Sequence, residues 1–169
     1  MRGIVTTAVS TAGLIIALAV APAAHAADKW SLNGNFIATS NGEWAKTNDV
    51  YRNEVSLRSI WTISSQCSYP TECTGTVTSD LGWTAPIYST AGEWYVKHIV
   101  PDWITCPDGV TTSSALQVFR FRRSTPDGAS GDPSSNLLVG EDITTGPSGA
   151  CGRSPVLYIT MPFKLIPQG

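Results

Sequence analysis

The chain has 169 residues, 11 Lys and Arg against 13 Asp and Glu, and a formal net charge of −2. So weak an acidity argues against a nucleic-acid or anionic-membrane partner, since both need a basic face. The length is that of one domain and is enough to bury a sizeable core.

The N-terminus reads MRGIVTTAVSTAGLIIALAVAPAAHAAD, with Arg2 its only charged side chain before Asp28. The apolar run 13–21 has the length of a signal-peptide core, and Pro22 ends it. Ala24 and Ala26 place small residues where a signal peptidase reads them. The pattern predicts a signal helix over residues 1–26, cleaved before Ala27, and a secreted domain over 27–169. Membrane contact is then confined to the signal segment before cleavage. An uncleaved anchor is the alternative, but the apolar run is short for a span of about 20 residues. Location outside the cytoplasm or in the cell envelope follows. All six Trp and all four Cys lie beyond the cut, and loss of Arg2 moves the formal charge from −2 to −3.

Beyond the cut the dominant period is two, as in half-buried strands. Strands are expected at 32–38, 55–63, 74–79, 87–88, 93–100, 116–123, 137–143 and 157–165. In the second, Val55, Leu57, Trp61 and Ile63 share one face. In the last, Leu157, Ile159, Met161, Phe163 and Leu165 do, and Pro162 marks an edge or a bulge because it lacks the ladder N–H. Residues 42–55 show a weak helical stripe and are read as a loop with one helical turn. Turn-forming clusters separate the strands, among them Asp80-Leu81-Gly82, Ala91-Gly92 and Pro107-Asp108-Gly109. The fold class is all-β: a single antiparallel sandwich or meander barrel of about seven or eight strands.

In an exported chain an even number of cysteines reads as a disulfide framework. Zinc sites prefer closer Cys spacing with more ligands nearby, and C-x-x-C redox spacing is absent. Of three possible pairings, the turn sequence SYPTE between strand-like runs favours Cys67–Cys73 together with Cys106–Cys151.

The segments SNGEWAKTN, WTISSQCSYPTECTGTVTSDLGW, EWYVKHIVPDW, CPDG, GEDITTGPSGACG and MPFKL resemble small secreted proteins of mycobacteria and related actinobacteria, a group without an assigned function. The resemblance spans nearly the whole mature chain. A looser likeness to β-rich regions of actinobacterial envelope proteins implies one close Cys pair, here Cys67 and Cys73, and a Cys-x-Asp-Gly turn matched later by Cys-Gly, here Cys106 and Cys151. The run Gly34-Asn35-Phe36 is similar to the G-x-W of lipocalin-type barrels, with Phe in place of Trp, and keeps a meander barrel among the candidate topologies.

Catalytic patterns are missing. His98 is the only His of the mature chain, and alternation groups it with Trp94, Val96 and Val100. No phosphate-binding loop, no H-E-x-x-H and no G-x-S-x-G occurs, so neither a cofactor nor a catalytic residue is assigned. Glu141 and Asp142 would face opposite sides of a strand. Asp127 and Asp132 do not match a calcium-loop spacing, and no metal is expected. Six Trp exceed the needs of a core this size, and Trp serves recognition. The function expected is a non-catalytic binding module, with an apolar pocket lined by Trp61, Trp94 and His98. An apolar envelope molecule or an envelope protein is the expected partner. A structural or protein-interaction envelope component and a carboxylate-dependent hydrolase are the competing classes.

Overall fold

A computed structural model describes residues 29–127, 132 and 134–169. The signal segment, with Ala24, Ala26 and Ala27, lies outside the described residues. Among the described residues ten strands run antiparallel in a single sheet: β1 Gly34–Ser40, β2 Lys46–Thr47, β3 Val50–Tyr51, β4 Leu57–Tyr69, β5 Glu72–Ser79, β6 Thr84–Thr90, β7 Glu93–Thr105, β8 Thr112–Arg123, β9 Leu138–Thr145 and β10 Tyr158–Pro167. Strands β4 to β10 follow one another as a meander, and β1 lies between β4 and β10. Eight strands thereby close into a barrel, the meander alternative of the sequence reading.

Alternation decides what fills it. Phe36, Trp61, Ile63, Val77, Ile87, Trp94, Val96, Phe119, Phe121, Leu138, Phe163 and Leu165 all point inward and are buried. Trp61 sits at the centre, its ring 4.8 Å from Phe119, 5.3 Å from Phe163 and 5.4 Å from Trp83. An eight-stranded barrel has an interior about wide enough for its own side chains, and this one is packed with aromatic rings. Closure also demands tight approaches between strands. At Gly140 a Cβ would lie 1.9 Å from the Arg120 carbonyl oxygen, so only glycine fits where β9 bends against β8.

Three expectations are corrected. Residues 42–55 do contain a helical turn, the 3₁₀ turn Gly42–Trp44, but the rest is no plain loop: the β2–β3 hairpin follows. Asn48 and Asp49, with φ of 47° and 67°, make its two-residue turn. Asn48 also fastens the hairpin to β10, accepting from the Tyr158 N–H and donating to the Val156 carbonyl. Pro162 is neither on an edge nor in a bulge: it pairs in register with Glu141. Its nitrogen faces the side where β10 passes from pairing with β2 to pairing with β1. No ladder bond is lost there, and its carbonyl accepts from the Asn41 N–H. In β4 the inward stripe is Ser59, Trp61 and Ile63; Leu57 opens the strand at the barrel mouth and is exposed there, and Val55 precedes the strand and is exposed.

Both expected disulfides are present. Cys67–Cys73 bridges a register pair of the β4–β5 hairpin, and Cys106–Cys151 ties the end of β7 to the β9–β10 loop across 45 positions. In the chain-entropy account the long loop contributes about 4 kcal/mol and the short one about 2. Replacing Cys106 and Cys151 together by Ser is therefore expected to lower the unfolding free energy by about twice as much as replacing Cys67 and Cys73. Urea denaturation of the two double variants measures it.

Candidate functional site at the barrel mouth

One end of the interior is apolar, formed by Trp94, Phe121, Leu138 and Leu165. The other is polar. The same alternation that buries the aromatic rings turns Ser40 of β1, Ser59 of β4, His98 of β7, Gln117 of β8 and Asp142 of β9 inward at this mouth. Register does the rest: His98 stands opposite Gln117, and Asp142 opposite Phe119, one inward position along from Gln117.

These groups form a directed chain. Asp142 is only 1% exposed, and both its oxygens are occupied. Ser40 Oγ donates to Oδ2 at 2.6 Å and Gln117 Nε2 donates to Oδ1 at 2.7 Å. The carboxylate thereby orients the amide, because the opposite orientation would set two acceptor oxygens against each other. Gln117 Oε1 is then left facing His98 Nε2 at 2.8 Å, and that nitrogen must carry the proton it donates. His98 Nδ1 lies 3.2 Å from the Ile99 carbonyl. The imidazole stacks on Trp83, centroids 4.1 Å apart and planes 13° from parallel. Trp83 in turn meets Trp61 edge-on. A small cavity of about 30 Å³ remains between Ser40, Ser59, Trp61, Trp83, Gln117 and Asp142, under Leu57 and Leu81. That is space for about one water. The buried Trp61 Nε1 has no hydrogen-bond partner among the described residues.

Burial pushes the Asp142 carboxyl above its ordinary value, against the opposing pull of the Ser40 and Gln117 hydrogen bonds and of the His98 charge. Ser40 bonds the Asp142 carboxyl, and the imidazole reaches the amide, so His98 is not set against the serine hydroxyl. Glu141, the sequence neighbour of Asp142, is on the outer face and pairs with Arg120 at 2.8 Å. The two carboxylates stand on opposite sides of the sheet, as their adjacency requires. Among the described residues no group of three or more His, Cys, Asp or Glu is placed to hold a metal.

Of the three residues expected to share a pocket, Trp61 and His98 are joined here through Trp83. Trp94 belongs to the same core but lies toward the apolar end, where it borders a separate hollow of about 260 Å³ with Trp30, Arg122 and Arg123. Sequence reasoning missed Ser40, Trp83 and Gln117 and treated Asp142 only as half of an unworkable pair. The available signal was parity: Asp142 falls on the face of Leu138, so alternation alone places a carboxylate inside the barrel.

No protein-family profile and no curated protein sequence matches the chain. Among solved structures it is similar to the monomer form of the Mycobacterium tuberculosis PknI sensor domain. The TM-score is 0.56 and the identity 16%, over 82% of this chain and 88% of that one. At that identity the likeness is one of fold.

A raised carboxyl pKa fixes the sign of a pH effect. The folded state holds the Asp142 proton more tightly than the unfolded chain, whose ordinary value is 3.8. Its contribution is complete below 3.8 and is lost as pH rises through the folded value. Asp142→Asn, which cannot ionise, is expected to remove that component. The stability of wild type relative to the variant should fall with rising pH above 3.8, by at most about 1.4 kcal/mol per pH unit. Paired urea titrations across pH 3–7 read the difference.

Proposed function

We propose that this protein is an extracellular, non-catalytic binding domain that takes a small ligand at the barrel mouth, around Trp61, Trp83 and His98. Trp94 closes the far end of the same aromatic interior. One observation carries the reading: at one end of a barrel whose core is mainly apolar, a hydroxyl, a carboxylate, an amide and an imidazole are aligned beneath a stacked indole. Buried polar chains are costly to assemble and are kept where they orient something. The ligand class that fits is an apolar envelope molecule with a hydrogen-bonding head. Its apolar part would displace the exposed Leu81 and pack against Trp83, Trp61 and Phe119, and its head would meet Gln117 and Asp142.

Several further features support the setting. Two disulfides suit an oxidising compartment. The N-terminal sequence has the organisation of a secretory signal. The fold is shared with a mycobacterial sensor domain.

The extracellular form is expected to begin at Ala27, which N-terminal sequencing of material recovered from the medium checks. Full-length chain found only in membranes would defeat export by cleavage. Native mass spectrometry of protein from its own host is expected to show a bound adduct, retained by wild type and lost in Trp83→Ala. An adduct-free wild type whose tryptophan fluorescence is unmoved by host lipid extract would leave the structural and protein-partner readings. Glycoside hydrolysis abolished by Asp142→Asn would instead favour a carboxylate-dependent hydrolase.

A further inference from the structure

The outside of the barrel carries a second concave surface, independent of the mouth. The outer face of β1, β9 and β10 forms the floor of a groove of about 670 Å³, lined by Thr39, Asn41, Glu43, Ser56, Glu141 and Lys164 among others. It continues past Gly140, Glu141 and Pro162 into a chamber of about 280 Å³ walled by Trp44, Lys46, Tyr51 and Thr160. The larger part lies within the usual size of small-molecule sites, about 300–1,000 Å³. From these residues we infer that the groove is a binding site for an uncharged glycan.

The aromatic wall is the first argument. Trp44 is 61% exposed and Tyr51 65%, and their rings meet edge to face at 6.4 Å and 78°. Lys46 Nζ stands 4.8 Å from the Tyr51 ring centre, which leaves the broad indole of Trp44 as the open platform. Large aromatic side chains placed in water mark a surface that another molecule covers. Here the backbone beneath them is fixed. Asn41 Oδ1 accepts from the Glu43 N–H, the Gly42 N–H donates to Ser56 Oγ at 2.9 Å, and the Glu54 N–H donates to the Gly42 carbonyl at 2.9 Å. A Cβ on Gly42 would lie 2.1 Å from the Glu54 carbonyl oxygen, so the turn is packed directly on that segment. Trp44 is therefore presented by a rigid support, the condition under which a platform binds without a large ordering cost.

The lining chemistry selects the occupant. Glu43 and Glu141 balance Lys46 and Lys164, and Arg120 behind Glu141 is itself offset by Glu93. Such a wall repels neither sign and attracts neither, so it suits a neutral molecule. Four charged groups would be desolvated uncompensated by a lipid tail. A proline-rich peptide also docks in aromatic-lined grooves, but it has no hydroxyls for the charged and hydroxyl side chains that line this one. A pyranose ring answers every feature. Its C–H face packs on the indole, and its hydroxyls, each both donor and acceptor, meet carboxylates, ammonium groups, Thr39, Ser56 and Thr160.

Three probes test it: cellotetraose, maltotetraose and N-acetylchitotetraose, each titrated into the full chain by calorimetry and by saturation-transfer NMR. At least one is expected to bind, with its ring C–H protons receiving the strongest transfer. Trp44→Ala should weaken that binding about tenfold or more, with an unchanged melting temperature because the side chain is exposed. Tyr51→Ala is a second variant of the same wall. Trp83→Ala, at the barrel mouth, should leave glycan affinity unaltered, which separates this site from the mouth. Absence of binding by all three probes at millimolar concentration overturns the inference. So does binding that survives both Trp44→Ala and Tyr51→Ala, and so does a preference for decaproline over every glycan.

Discussion

The pairing of β1 with β10 is the constraint on which the rest of this molecule depends. It converts a meander with two open edges into a closed surface, and from that point each inward position competes for one fixed volume. Trp61 can be as large as it is because Ser59 beside it on β4 is small, as are Ala38, Ala85 and Ala115 where other strands turn inward. The closed ladder also satisfies the backbone without water, so the remaining polar groups inside must satisfy one another. Ser40, Asp142, Gln117 and His98 do so in sequence, and the cavity beside them has about the space of a single water.

Much of this was legible from residue order. Period-two alternation located the eight barrel strands and most inward residues, because a half-buried strand has no other way to arrange its side chains. The disulfide pairing followed from a turn sequence that brings its own ends together. What escaped was set by long-range geometry. The β2–β3 hairpin has strands of two residues each, too short for any period to register, and its turn uses Asn-Asp rather than a glycine pair. Pro162 was misjudged because a local rule about missing N–H groups cannot know that β10 changes partners at that point. The mouth was partly visible: His98 and Trp61 stood out as residue types, but Gln117 and Ser40 acquire meaning only once β1, β8 and β9 converge. The exposure of Trp44 could not be read at all, since a Trp in a loop reads identically whether it packs or projects.

Strand β9 links the two surfaces. Asp142 turns into the barrel and anchors the polar chain, while Glu141, one residue before, lines the outer groove and pairs with Arg120. Gly140, on the inward face between Leu138 and Asp142, brings only backbone to the groove floor. A single strand thus serves an interior built on cohesion and an exterior built on access, and any displacement of its backbone is felt on both.

The seam has a mechanical side as well. Residues 36 and 167 are register partners, and the Gln168 N–H donates to the Asn35 carbonyl, so the first barrel strand begins beside the end of the last. A force drawing residues 29 and 169 apart acts on one end of the β1–β10 ladder and peels its rungs singly instead of shearing them together. Neither disulfide crosses that line: one lies within the β4–β5 hairpin, and the other joins the end of β7 to the β9–β10 loop. Under tension the barrel therefore opens first along its seam, as a zip does, with the crosslinked wall still intact.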